Sequence, residues 1–274
     1  MYRFFVSPEN ICGNDIYIEG SDVNHIKNVL RMKTGEEVSV VAVTTSDTVD
    51  PGVPAEGIAE SDSSGLDIQQ VDNREYRCEI ADFEDDRVHL KLRFIKEDNV
   101  ELPCRIYLFQ GLPKSDKMEF IIQKAVELGA YEIIPVAMKR SVVKYDKKKE
   151  AAKITRFNSI AEAAAKQSKR RIIPEVRQVM TFKEAVEYCN DMDVKLLPYE
   201  LADMEAMDKT RDVLAGIKPG QSVAVFIGPE GGFDEGEVDL ALKGDFDMIT
   251  LGRRILRTET AGMTVLSWLV YLLE

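Results

Sequence analysis

Along the first hundred residues, apolar and polar positions alternate one by one. The alternation is cleanest at Asp15-Ile16-Tyr17-Ile18, at Glu37-Val38-Ser39-Val40-Val41, and from Arg87 through Phe94. A period of two marks a strand with one face buried. One stretch breaks the rhythm. Val23, Ile26, Val29 and Leu30 recur at helical spacing behind Ser21-Asp22, which predicts one capped helix with those four residues on its apolar face. A small β-barrel with one helix is the expected solution, because closing a sheet removes its unpaired edges.

Residues 97–103 are charged and end in Pro103, which reads as a linker between domains 1–97 and 103–274. Beyond it, apolar runs and helical patterns take turns. Strands are predicted at 104–109, 132–137, 195–197, 222–227 and 246–251. Helices are predicted at 115–128, 147–168 and 181–192, with a short one after Gly232 and an apolar one closing the chain. The helix at 115–128 carries Met118, Ile121, Ile122, Ala125 and Val126 on one side and stops at Gly129. Such alternation implies an α/β domain with a parallel sheet covered by helices on both faces.

Charge complicates this outline. The chain of 274 residues has a formal net charge of −12, and a surface that binds phosphates needs lysine and arginine. The distribution matters more than the total. From 44 to 76 eight acidic residues meet one basic residue, whereas from 139 to 171 twelve basic residues meet three acidic ones. A segment with that excess directs a positive field at one place. The acidic stretch at about 44–70 lacks periodicity and reads as an exposed, mobile excursion on a hairpin, with a dedicated function as the alternative.

The remaining composition excludes several classes. Four scattered cysteines form no C-x-x-C pair, and two histidines without an H-E-x-x-H motif give no metal site. The longest apolar run, 263–273, is too short to span a bilayer. No continuous apolar leader opens the chain, so a cytoplasmic location is expected.

Two turns hold the candidate chemistry. Strand 222–227 runs into Gly228-Pro229-Glu230-Gly231-Gly232, and strand 246–251 runs into Gly252-Arg253-Arg254-Ile255-Leu256-Arg257. Glycine after a parallel strand allows a ligand close to the backbone. The first turn fits neither a P-loop nor a G-x-G-x-x-G fingerprint, and by itself it could be a structural turn capped by Asp234 with Glu237.

Read with the second turn, the sequence resembles the RsmE family of ribosomal RNA uridine-N3 methyltransferases, in the SPOUT (trefoil-knot) superfamily. The matching words are Ile227-Gly228-Pro229-Glu230-Gly231-Gly232-Phe233 and Leu251-Gly252-Arg253-Arg254-Ile255-Leu256-Arg257-Thr258-Glu259-Thr260-Ala261. Five further words precede them in the family's order: 25–31, 114–118, 123–129, 140–144 and 162–168. The likeness covers nearly the whole chain.

The resemblance implies a PUA-like or OB-like RNA-binding barrel, then a SPOUT-type sheet with a C-terminal trefoil knot. It also implies S-adenosylmethionine as cofactor, 16S ribosomal RNA of the assembled small subunit as substrate, and a homodimer. The expected cofactor contacts are Leu197, Glu200, Ile227, Gly228, Gly231, Gly232, Leu251, Gly252, Ile255, Leu256 and Thr260. Arg257 is the candidate cation for the charge left when N3 of uridine loses its proton, with a structural salt bridge to Glu259 or Glu230 as its alternative.

Lys114, Arg140, Lys144, Gln167, Lys169, Arg170 and Arg171 are expected RNA contacts, against a merely solvated basic helix face. His25 and Arg31 are the expected contacts in the first domain, although a lone histidine is more often a packed or capping residue. The apolar helix bearing Met263, Leu266, Leu269, Val270 and Leu273 suits either a dimer face or burial in its own domain. A non-catalytic RNA- or ribosome-binding module is the rival reading, and the two intact turns argue against it.

Overall fold

The computed structural model describes all residues except 44–73, 98–99, 115–116, 144, 146 and 200–203, and excepting the side chains of 147–148 and 204–206. The acidic stretch, Lys144 and Glu200 therefore lie outside the described residues. The chain forms two compact units, Met1–Val100 and Glu101–Glu274.

In the first unit, β1 (Tyr2–Val6), β2 (Ile11–Cys12), β3 (Asp15–Glu19), β4 (Glu37–Ala42), β5 (Glu75–Phe83) and β6 (Arg87–Lys96) make one sheet. Its order is β1-β4-β5-β6-β3-β2, antiparallel except for the parallel β1–β4 pair. The sheet curls until β1 lies beside β3, enclosing Ile16, Ile18, Val38, Val40, Ile80, Val88 and Leu90. The alternation in the sequence is thus the inside and outside of this curl. Across the outer face, Glu75 accepts hydrogen bonds from Arg3 Nη2 and Ser39 Oγ, both at 2.6 Å, and is nearly fully buried.

The helix expected behind Ser21-Asp22 departs from expectation. α1 (Ser21–Asn24) starts behind Gly20, whose φ of 70° needs a glycine and which, rather than Ser21 or Asp22, occupies the N-cap position. It then widens into a π-helical turn at His25–Val29. Widening rotates the face, so Ile26 is buried while Val29 is 62% exposed.

In the second unit, β7 (Arg105–Gly111), α2 (Lys117–Glu127), β8 (Glu132–Ala137), α3 (Lys147–Ser168), β9 (Glu175–Val176), β10 (Met180–Thr181) and α4 (Phe182–Tyr188) come first. β11 (Val194–Pro198), α5 (Met204–Ala215), β12 (Ser222–Ile227), α6 (Glu235–Lys243), β13 (Asp247–Ile249) and α7 (Thr258–Leu273) follow. All sheet pairs are parallel, in the order β10-β8-β7-β12-β11-β13, with β9 also on β8. Both faces are covered, hence continuous apolar runs such as Val223 to Ile227. Pro135 inside β8 sits where β9 has ended and β10 has not begun, so its missing N–H interrupts no ladder on that side.

The expected face of α2 is buried residue for residue. Its end is a Schellman turn: Gly129, at φ 85°, lets Ala130 N–H reach the Ala125 carbonyl at 2.9 Å. α3 ends the same way, with Lys169 at φ 60° and Arg170 N–H on the Ala165 carbonyl at 2.9 Å. α4 stops at Tyr188 rather than 192, β13 is shorter than expected, and α5 was not expected at all. No helix among the described residues is long and apolar enough to cross a membrane.

Candidate functional site

The glycine turn after β12 and the turn after β13 meet at the carboxyl edge of the sheet, around a cleft of about 620 Å³. β11 lies between β12 and β13 and runs parallel to both, so this strand order opens the two turns at the same edge of the sheet, one strand apart. Of the expected cofactor contacts, Ile227, Gly228, Gly231, Gly232, Leu251, Gly252, Ile255 and Leu256 line it. Leu197 does not: it is fully buried in the core under the cleft. Thr260 also lies off the cleft, one turn into α7, where its carbonyl accepts the Thr264 hydroxyl at 2.8 Å.

Several glycines are dictated by close approach. A Cβ on Gly111, at the end of β7, would stand 2.7 Å from Pro229, so β7 lets the first turn lie directly against it. A Cβ on Gly231 would stand 2.9 Å from the Arg140 Cβ, and the Arg140 guanidinium bonds the Gly231 carbonyl at 3.2 Å. Gly232, at φ 67°, closes the turn through its N–H on the Pro229 carbonyl at 2.9 Å. α6 then starts with the expected capping box of Asp234 and Glu237. Lys139 pairs with Asp234 at 2.7 Å and holds its carboxyl below the usual range.

The second turn opens on Gly252 at φ 98°, a left-handed backbone that other residues adopt only with strain. Ahead of it, Thr250 N–H bonds the Thr210 hydroxyl at 2.9 Å, which ties the turn to α5.

The charges at the mouth have a definite arrangement. Lys117, at the start of α2, bridges Glu230 of the first turn at 3.1 Å and Glu259 of α7 at 3.3 Å. The bond to Glu230 is the main reason the Lys117 ammonium is held above its ordinary pKa. Burial alone would raise the Glu230 carboxyl, but backbone N–H groups and Lys117 outweigh it and hold it low. Both carboxylates offered as salt-bridge partners for Arg257 therefore face Lys117. Arg257 is exposed on the cleft at the N-cap of α7, beside Arg254.

The expected RNA contacts divide. Arg140 lines the cleft, Lys114 is exposed with its backbone N–H on Glu230 at 3.1 Å, and Gln167 and Lys169 are exposed at the end of α3. His25 and Arg31 are exposed in the first unit, Arg31 with a left-handed φ of 53°. Arg170 and Arg171 must be corrected: both are buried. Arg170 binds Glu101 at 2.6 Å and the carbonyls of Val126 and Ala130 at 2.7 and 3.0 Å, which leaves its guanidinium no path to a phosphate.

Sequence reasoning gave no role to Pro198, Tyr199, Thr250, Thr258 or Lys117, which also line the cleft. For Pro198 and Tyr199 a signal existed: they follow an apolar run, at the sheet edge where ligands of parallel sheets bind.

Comparison with known proteins agrees with this architecture. A family described as "RNA methyltransferase domain" matches residues 100–270, and one described as "RNA methyltransferase PUA domain" matches residues 18–41. The ribosomal RNA small subunit methyltransferase E of Bacillus subtilis (strain 168) is 34% identical over 258 residues, covering 94% of this chain and 90% of the relative. That of Synechocystis sp. is 28% identical over 278 residues, covering 100% and 78%. Among solved structures, a ribosomal RNA small subunit methyltransferase E from Neisseria gonorrhoeae bound to S-adenosyl methionine superposes with a TM-score of 0.74 at 25% identity, over 99% of this chain and 98% of that one. Near-complete coverage, at that identity and in that fold, means that the chain belongs to the ribosomal RNA small subunit methyltransferase E family of RNA methyltransferases.

Proposed function

We propose that this protein transfers a methyl group from S-adenosylmethionine to N3 of a uridine in 16S ribosomal RNA of the small subunit, with the cofactor held in the cleft between the two glycine turns. One observation carries the reading: two glycine-bearing turns converge on a cleft whose mouth holds Arg254, Arg257 and the N-terminus of α7. The cofactor fits the residues present. Gly228, Gly231 and Gly252 put no side chain between the backbone and the cleft, Ile227, Leu251, Ile255 and Leu256 supply apolar walls, and the volume suits a ligand of that size.

The cofactor supplies an electrophilic methyl on a sulfonium. The chain's task is to hold the uridine in line with it and to favour loss of the N3 proton, since positioning supplies most of the acceleration. Negative charge shared with O2 and O4 is stabilised by Arg257 and by the positive end of the α7 dipole. The N3–C bond forms as the S–C bond breaks, and the proton leaves to solvent. Exposed Arg140 and Lys169 contact phosphates around the target, and His25 and Arg31 engage RNA in the PUA-like unit.

The test is mass spectrometry of ribosomal RNA from a strain lacking the gene, before and after incubation of its small subunits with protein and cofactor. An unmodified uridine that gains N3-methylation supports the proposal; RNA that gains no methyl group removes it.

The trefoil knot and the homodimer belong to the same proposal. The return of the chain from β13, beyond β11, to lay α7 against β12 supports a threaded end. Pulling the unfolded chain taut tests it, since a tightened knot shortens the contour and a full-length contour would exclude it. Leu266 and Leu269 are spent inside the unit, while Tyr271 and Leu272 stay exposed and supply an outward face. Sedimentation that finds only monomers would exclude the dimer.

A further inference from the structure

Beneath the first glycine turn lies a side chain that no part of the proposed chemistry uses. Gln110, near the end of β7 and in register with Ile227 of β12, is fully buried. Its amide nitrogen donates to the Gly111 carbonyl at 3.0 Å and to the Thr258 hydroxyl at 2.8 Å. The Thr258 hydroxyl in turn donates to the Gly228 carbonyl at 2.6 Å. The direction of this chain is forced. Thr258 has one hydroxyl proton, committed to Gly228, so it can only accept from Gln110. Turning the amide over would set its oxygen against the Gly111 carbonyl, an acceptor facing an acceptor. The cost of the arrangement is visible: Gln110 Oε1 is left buried without a partner.

A core position flanked by Phe109 and Leu108 could hold an apolar residue and leave no such orphan. What the glutamine secures is a connection. Gly228 begins the first turn and Thr258 begins α7, directly after the second turn, and both line the cleft. We propose that Gln110 and Thr258 are positioning residues: their buried relay to the Gly228 carbonyl clamps the two turns at a fixed separation and so sets the fit of the cleft to its cofactor. The inference rests on the cleft being the cofactor site. Neither residue need touch the reacting atoms. The clamp acts before RNA arrives, so it governs cofactor affinity and turnover and leaves RNA affinity alone.

The experiment measures S-adenosylmethionine binding by calorimetry, RNA binding at fixed salt, and thermal unfolding for four variants. Thr258→Val keeps the shape and removes the hydroxyl, Thr258→Ser restores it, Gln110→Met removes the upstream donor, and Leu256→Arg fills the cleft itself. Loss of one buried bond with its partners stranded should weaken cofactor binding about tenfold in Thr258→Val. Thr258→Ser should return to within about twofold of wild type, Gln110→Met should fall between, and RNA affinity should hold in all three.

Wild-type cofactor affinity in Thr258→Val while Leu256→Arg loses it would overturn the clamp and leave the cleft standing. Wild-type affinity in both would place the cofactor elsewhere and remove both readings. A Thr258→Ser variant as weak as Thr258→Val would show that the hydroxyl is not the agent. If Thr258→Val fails to fold, Gln110→Met decides, and unchanged affinity there overturns the proposal.

Discussion

Arg170 offers the sharpest test of how charge should be read in this chain. Its guanidinium donates through Nε and Nη2 to one oxygen of Glu101, at 2.7 and 2.6 Å, and the other oxygen takes the Arg171 backbone N–H at 2.6 Å. Nη1 reaches the Val126 carbonyl in the last turn of α2 and the Ala130 carbonyl just beyond it. The side chains are 5% and 13% exposed, so little screening applies. Arg170→Ala strands a buried carboxylate, which costs about 3–5 kcal/mol, and removes a cation from a helix C-terminus, worth roughly 0.3–1 kcal/mol. For a unit of this size the melting temperature should fall by on the order of 10 °C. The affinity for RNA, measured against salt below that temperature, should keep its slope. Lys169→Gly should do the reverse. It relieves a left-handed lysine, stabilising the α3 terminus by about 1 kcal/mol, and it lowers the salt slope by about 0.7–0.9 if Lys169 meets one phosphate. An Arg170→Ala protein that melts like wild type and loses a unit of slope would refute the reasoning.

Three more outcomes are expected. In the first unit, burial would raise the Glu75 carboxyl, but Ser39, Arg3 and Arg77 outweigh it and hold it low. Its stabilisation is therefore present above the unfolded pKa, roughly 4.3, and is lost as pH falls through the lower folded value. Glu75→Gln should lower stability at pH near 7 and flatten the acid limb of a denaturation series; an unchanged limb counts against the assignment. Gly262 lies inside α7, and a Cβ there meets nothing nearer than 3.7 Å, so Gly262→Ala should stabilise the unit by about 0.5–1 kcal/mol in urea titration. Burial pushes the Cys78 and Cys189 thiols up to about 12 and also raises Cys104, whereas Cys12 is exposed. One maleimide should therefore label the folded protein near neutral pH and four the unfolded chain, as counted by intact mass.

Where local pattern decides the structure, the sequence was legible. β8, β12 and α3 fall on their expected residues, because a continuous apolar run, or a long run of good helix formers, leaves few alternatives. α5 escaped notice because only Thr210 and Leu214 among its described side chains are buried, too few to stand out from its charges. The cleft was legible as two motifs, but their meeting depends on strand order, which no local pattern encodes. Arg170 and Arg171 misled for the same kind of reason. A cation reads as solvated until its partner is known, and that partner, Glu101, lies 69 residues upstream of Arg170. Gln110 and Thr258 are 148 residues apart and individually ordinary.

The strand order also bears on how the chain is made. β7 pairs with β8 through a short helical crossover, but its other edge belongs to β12, with Arg105 beside Ser222. Synthesis delivers the N-terminal side first, so β7 must wait for more than half of the second unit before that neighbour exists. During the wait Ile106, Leu108 and Phe109 line an open, apolar edge, the kind of template on which nascent chains pair wrongly. Non-local pairing of this kind also slows folding, because loop closure precedes any reward. The strand at the centre of the finished sheet is thus the one exposed longest, and crowding of unfinished copies is the condition under which this protein is most vulnerable.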